Sequence, residues 1–402
     1  MKPVEGIVLD VPLLSLFGVL VASGFGSTVP SIRLESALVQ NVSEQKRSPT
    51  SVPVHTRPPR SKPSPTFATF NSQPLDKQLK LYLRYLEEFG PPDVLIVGSS
   101  RAHQGVDPLM LQQILSRRGY GNVKVFNFGV NGATAQVVDL ILRRLLTPKQ
   151  LPRLILWADG SRAFNSGRLD RTYRKILASP GYKRLAIGVR PSLSPSEINE
   201  LKPLCITMSS VEVVSKTSSS FNAVPPQANS PQFCIQSTPR STSPAWVIRS
   251  YPQPAETVTS PAVLGFNALS TRFNPTSYFQ RYPKVPGRYD TDYENFTLRG
   301  EQTAAFNRAV NFARSRGIPV VFVNLPLTQI YLDPVRSSYE QQFRSYMQQF
   351  ANVGKLTFYD LSQRWPNKHK YFADPSHLNR YGAVVVSTQV GQNLKLPRSV
   401  TQ

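Results

Sequence analysis

Val94-Leu-Ile-Val97-Gly98-Ser99-Ser100-Arg101 reads as a buried apolar strand running into a turn of small residues that presents a serine. The segments on either side extend that reading. Ahead of it, Leu79, Leu83 and Leu86, with Tyr82 and Tyr85, recur at helical spacing, and Gly90-Pro-Pro92 ends the helix. Residues 108–117 suit a second helix and 123–128 a second strand. Thr134 is placed to cap a helix over 135–146, whose Val138, Ile141, Leu142 and Leu145 make one apolar face. Residues 154–157 form a third strand, 301–316 a helix running into Gly317, and 320–323 a fourth strand. A helix over 338–350, a strand over 356–359 and a last helix over 382–394 complete the pattern. Strands alternating with helices imply parallel β-α-β units. The fold expected is therefore α/β, a three-layer α/β/α sandwich around a central parallel sheet of about five strands.

The remaining sequence does not have this periodicity. The chain has 402 residues and 36 prolines, many of them in two stretches. Residues 26–72, rich in Ser, Pro, Thr, Lys and Arg, are read as a flexible basic tether, because such composition buries too little apolar surface to offset the entropy of ordering. Residues 191–261, rich in Ser, Thr, Pro and Gln, are read as a low-complexity insertion. The folded domain is expected over 73–190 and 262–400. The uncharged apolar run of 11–25 is short for a spanning helix and suits the core of a signal peptide or anchor over 1–25, which would place the domain in the cell envelope.

The formal charge of +23, from 47 basic and 24 acidic residues, favours polyanionic partners: nucleic acid, an anionic membrane surface or an acidic envelope polymer. The sequence has no helix-turn-helix, zinc-finger or RNA-binding motif, which argues against nucleic acid. Cys205 and Cys234 lack Cys-x-x-Cys spacing, which argues against a zinc site. A disulfide between them and two free thiols both remain open. The run Gly129-Val-Asn131-Gly132-Ala-Thr134 looks like a phosphate cradle, but it lacks the Walker lysine and the Gly-x-Gly-x-x-Gly spacing. No metal or cofactor is expected.

In an open parallel sheet, ligands bind beyond the carboxyl ends of the strands. Ser100, the Gly129–Thr134 run and Asp159-Gly160-Ser-Arg162-Ala-Phe-Asn165 each follow a strand in that manner, and Asp374-Pro-Ser-His377 precedes the last helix. Chemical need assigns their roles. A serine hydroxyl is a weak nucleophile until a base takes its proton, and His377 can do so. Asp374, three residues earlier, can fix the imidazole tautomer and stabilise its cation. A tetrahedral oxyanion needs preorganised donors, each typically worth about 3 kcal/mol. The backbone N–H groups of Ser100 and Gly132 are two candidates, and the amide of Asn165 or Asn131 a third. Arg101 and Arg162 are either structural ion-pair residues or contacts for an anionic substrate. His103, close to Ser100, is a rival base. His55, in the tether, and His369, in a basic loop, are read as incidental.

Together these segments resemble the SGNH (GDSL-like) hydrolase superfamily. Gly98-Ser99-Ser100-Arg101 matches its first block. Asn127-Phe-Gly129-Val-Asn-Gly132-Ala-Thr134 matches its second, and Asp374-Pro-Ser-His377 its fifth. The likeness spans roughly residues 75–170 and 290–395. The Gly-Ser-Ser form looks more like the envelope branch, which includes the teichoic-acid D-alanylation protein and the alginate O-acetylation proteins. Gly287-Arg-Tyr289-Asp290-Thr-Asp292-Tyr293, Val323-Asn-Leu-Pro-Leu-Thr328 and Asp374-Pro-Ser-His-Leu-Asn379 look like an uncharacterised cyanobacterial family of that superfamily. The resemblance implies a serine O-acyl esterase or acyltransferase with Ser100, His377 and Asp374 as its triad. It also implies an acylated envelope glycan or polymer as substrate, with a membrane acyl-transfer protein as a further partner. One block departs: Gly-x-Asn-Asp is expected after the third strand, and Asp159-Gly-Ser-Arg-Ala-Phe-Asn165 stands there instead. That leaves a catalytically impaired glycan- or partner-binding protein on the same fold as the alternative.

Overall fold

The computed structural model describes residues 67–194, 263–282 and 291–397. The apolar run of 11–25, most of the basic tether, both cysteines and most of the expected insertion lie outside the described residues. Five strands, β1 (Val94–Gly98), β2 (Val125–Gly129), β3 (Leu154–Asp159), β4 (Val320–Asn324) and β5 (Thr357–Asp360), form a single all-parallel sheet in the order β2-β1-β3-β4-β5. Every residue of β1 to β4 is buried, which is why these strands read as near-continuous apolar runs rather than alternating ones; only β2 is broken at its centre, by Asn127. The outer edge of β2 is covered, since Asn127 donates its backbone N–H to the Leu264 carbonyl at 2.8 Å.

The two-residue period of the strands divides the core into two layers. Leu95, Val97, Phe126, Phe128, Trp157 and Phe322 face α1 (Gln73–Phe89) and other helices of one layer. Val94, Ile96, Val125, Leu156 and Val323 face the opposite layer, which includes α2 (Ser100–Gly105) and α3 (Pro108–Leu115). The first layer also holds α4 (Ala135–Leu140), which runs on as a wider turn through Ile141–Leu145. The expected three-layer α/β/α sandwich is what forms.

Several boundaries differ for local reasons. Thr134 stands at the N-terminus of α4 but does not cap it: the Gln136 N–H donates to Gln302 Oε1 at 3.0 Å, and the Thr134 hydroxyl is turned to Asp170, to which it donates. Residues 67–72, assigned above to the tether, belong to the domain: Phe70 is buried, and the Thr69 carbonyl accepts the Gly181 N–H at 2.8 Å. Two short helices, α5 (Arg171–Leu177) and α6 (Pro180–Ala186), follow β3 where no helix was expected, and α7 (Pro275–Arg281) lies in the second described segment. α8 (Glu301–Arg314) precedes β4. α9 (Pro334–Asn352) starts four residues before the expected helix, because Asp333 caps it by accepting the Arg336 N–H at 2.7 Å. α10 (Arg380–Asn393) is last and packs beside α3, where Gly391 lies against Leu111 and Ile114. No helix among the described residues is long and apolar enough to cross a membrane.

The chain steps outward from β1 to β2, then crosses back over β1 to β3 and continues to β4 and β5. The strand order therefore reverses between β1 and β3. Crevices form at the carboxyl ends of parallel strands at such a reversal.

Candidate active site

Ser100 begins α2, immediately beyond β1 and beside that crevice. Gly98 makes the turn possible. Its φ of +145° is unfavourable for a side chain, and a Cβ there would lie 2.1 Å from the Ala158 carbonyl oxygen on β3. Ser99 then caps α2, accepting the Arg101 N–H at 3.3 Å. The turn is anchored across the crevice by Asp159, at the end of β3. Its two carboxylate oxygens accept the Ser99 N–H at 2.8 Å and the Ser99 hydroxyl at 2.9 Å. On the other side Asn127 of β2 donates its amide to the Ala102 and Val106 carbonyls at 2.9 and 2.8 Å, holding the end of α2. The serine thus sits on a short helix fixed from both neighbouring strands.

The base comes from far away in sequence. Residues 372–378 double back, with a bridge between Phe372 and Leu378 and the Ala373 N–H donating to the His377 carbonyl at 2.8 Å. Asp374 Oδ1 accepts the Ser376 and His377 N–H groups at 2.8 and 2.9 Å, so the aspartate folds the turn that carries it. Two further residues hold the loop down. Thr328 donates its hydroxyl to the Pro375 carbonyl at 2.7 Å. Asn379, fully buried, caps α10 with its Oδ1 and donates its amide to Thr271, Lys370 and Phe372 carbonyls. The N-terminus of α10 is thus capped by Asn379 and not by Asp374, which leaves the second oxygen of Asp374 for the imidazole.

The resulting geometry is a continuous relay. Ser100 Oγ lies 2.9 Å from His377 Nε2, and His377 Nδ1 lies 2.8 Å from Asp374 Oδ2. Burial tends to raise the Asp374 carboxyl, but the hydrogen bond and charge of His377, with the two backbone N–H groups, bring it below the ordinary carboxylate value. Ser376 also approaches His377 Nδ1, at 3.2 Å.

Ser99, Ser100, Gly132 and His377 line one cleft of about 370 Å³ together with Asp159, Arg162, Arg168, Arg171, Thr172, Asp292 and Glu294. Gly132, with φ of +78°, lies on the turn after β2. Arg162 and Arg168 share Asp292, at 3.8 and 3.2 Å. Among the described residues, no three His, Cys, Asp or Glu side chains gather into a possible metal site.

Three expected site residues have other work. Asn165 has no donor left for an oxyanion: its amide nitrogen donates to the Asp292 and Glu294 carbonyls at 3.0 and 2.9 Å, and its oxygen accepts the Gly167 and Thr297 N–H groups. It fastens segment 292–297 to the turn after β3. Arg101 is not a substrate contact either. It is 3% exposed and donates to the Leu325 and Pro326 carbonyls, balancing the buried carboxylates of Asp159 and Glu340. Asn131 pairs its carbonyl with His103 Nδ1 at 2.9 Å and is absent from the cleft lining. The Ser100 hydroxyl is bonded to His377 and not to the rival base His103, whose burial lowers its pKa. His369 packs edge-on against Phe273.

Asp159 stands out in sequence only as part of its segment, and Arg168, Arg171 and Thr172, which also line the cleft, do not stand out at all. An aspartate ending a buried strand one position from the crevice was the available signal for the first. The other three follow a turn whose course no periodicity announced. The chain matches no protein-family model and no curated protein.

Proposed function

We propose that this protein is a serine O-acyl esterase or acyltransferase of the SGNH type, acting on an acylated glycan or polymer of the cell envelope. The observation that carries the reading is the Ser100–His377–Asp374 relay, with heavy-atom separations of 2.9 and 2.8 Å, at the reversal point of a parallel sheet. Both separations lie within the reach required of a nucleophile, its base and the group that orients the base.

In this reading His377 Nε2 takes the Ser100 proton as Oγ attacks the ester carbonyl carbon. The carbonyl π bond opens to an oxyanion, and the Asp374 carboxylate stabilises the imidazolium that forms. The backbone N–H groups of Ser100 and Gly132 are the donors we assign to that oxyanion. Ser100 begins a helix, so its N–H has no partner within it. Collapse breaks the bond to the leaving alcohol, which takes the proton back from His377 and leaves acyl-Ser100. Water or a sugar hydroxyl then loses its proton to His377 and attacks the acyl carbon, freeing the serine. Hydrolysis and transfer differ only in that second nucleophile.

The commitment of Asn165 favours a second reading, a glycan- or partner-binding protein on this fold without turnover. A fluorophosphonate probe separates the two. Catalytic competence predicts a covalent adduct mapped to Ser100 in the folded wild type and none in Ser100→Ala. Unlabelled wild type with native circular dichroism would sink the enzymatic reading. The envelope location rests on the apolar run of 11–25, and detection of the native protein in a periplasmic or membrane fraction tests it.

A further inference from the structure

The net charge of the chain is unevenly placed. Of the eight charged side chains from Arg168 to Arg190, seven are basic. The exception, Asp170, is buried and engaged: it caps α5 by accepting the Tyr173 N–H at 2.9 Å and accepts Gln302 and Thr134 as well. The outer face of the α5–α6 arm therefore carries positive charge alone.

Its arrangement is locally unfavourable. Arg171, Arg174 and Lys175 occupy positions i, i+3 and i+4 of α5, so three exposed cations share one helix face. Arg171 also stands in the first turn, where the helix dipole disfavours a cation. Arg162 and Arg168 have Asp292 against them, whereas none of these three forms an ion pair among the described residues. A bound polyanion would relieve both penalties.

The charged face leads into the cleft. Arg171 and Thr172 line it alongside Ser100 and His377, and the Thr172 hydroxyl lies against Gly132, where a Cβ would meet it at 3.1 Å. A bilayer is broad and nearly flat, while this face descends into a concave site lined by hydroxyl, carboxylate and guanidinium groups. A polyhydroxylated chain with regularly spaced negative charges fits both the face and the cleft.

We propose that the α5–α6 arm is the docking face for an acidic polysaccharide, which it guides toward Ser100. The proposal rests on the acyl-transfer reading of that site and names its substrate class. The test measures binding of the full chain to polygalacturonate, to neutral dextran and to phosphatidylglycerol vesicles, with turnover of a small neutral aryl ester followed separately. The expected result is salt-sensitive binding to polygalacturonate, none to dextran, and at least tenfold weaker binding in Arg174→Glu/Lys175→Glu. Arg174→Gln/Lys175→Gln, which removes charge without reversing it, should fall between the two. Equal binding by wild type and both variants, or no binding of wild type to polygalacturonate, overturns the proposal. So does tighter binding to the vesicles that polygalacturonate fails to compete away. Aryl-ester turnover that survives Ser100→Ala would instead sink the catalytic reading, leaving the binding result to stand on its own.

Discussion

Asp374→Asn isolates the orienting role of one carboxylate oxygen. In the wild type, Oδ1 accepts two backbone N–H groups at 2.8 and 2.9 Å, and Oδ2 lies 2.8 Å from His377 Nδ1. An asparagine can keep its carbonyl toward the backbone donors, so the turn should survive. Its NH2 group then faces Nδ1, and two donors cannot share one hydrogen bond. The imidazole must place its proton on Nε2, which can then only donate to Ser100 Oγ at 2.9 Å and can no longer accept its proton. Loss of the correct tautomer in such a relay costs about 10³- to 10⁴-fold in rate. At 1.36 kcal/mol per decade that is about 4–5.5 kcal/mol of activation free energy. The assay is the second-order rate of fluorophosphonate labelling, with the urea midpoint as a check on folding. A variant that labels within threefold of wild type, while His377→Ala is inert, would refute the assignment of Asp374 as the orienting group.

Removing Arg101 should act on stability rather than on binding. Arg101→Met strands the buried carboxylates of Asp159 and Glu340, and urea unfolding should show a loss of about 3–5 kcal/mol; a loss under 1 would contradict the counter-charge role. Asn165→Ala orphans two carbonyls and two N–H groups, so it should lower stability by about 1–3 kcal/mol while changing the labelling rate less than tenfold. A hundredfold loss of labelling at unchanged stability would return that amide to the site. The pH response follows from the Asp374 carboxyl, which is lower in the folded state than its unfolded value of about 3.9. Its stabilising contribution is therefore present above about pH 4 and is lost as pH falls through the folded value. Acid titration of wild type and Asp374→Asn should give stability curves separated by a constant gap above about pH 4 that closes as pH falls through the folded value.

The parts legible in sequence were those governed by short-range rules. Four of the strands are near-continuous apolar runs because both sheet faces are covered, and their order along the chain pointed to the fold class. Asp374 and His377 could be paired because one turn carries both. The readings that failed concerned side chains whose partners lie far along the chain. Thr134 looks like a cap until Asp170, 36 residues on, takes its hydroxyl. Arg101 fits a structural ion pair and a substrate contact equally well until the carbonyls of residues 325 and 326 are brought beside it and favour the first. Asn165 looks available until segment 292–297 folds over it. The short helices α5 and α6 were missed because each covers only two turns, too few for an apolar period to stand out.

The docking of α10 has a consequence for how the molecule reports on itself. Nucleophile and base are 277 residues apart, and the loop carrying the base is continuous with a helix clasped by Arg118, which donates to the Gly391 and Leu394 carbonyls, and by Asp107, whose N–H donates to Ser387 of the helix at 2.8 Å. The early β-α-β units can form from local contacts, whereas the relay closes only when the chain's last helix returns to the first strands. Reactivity at Ser100 is thus a signal of completed topology: a labelled molecule has both ends of its domain assembled, and lesions that loosen α10 should silence the serine while leaving much of the sheet intact.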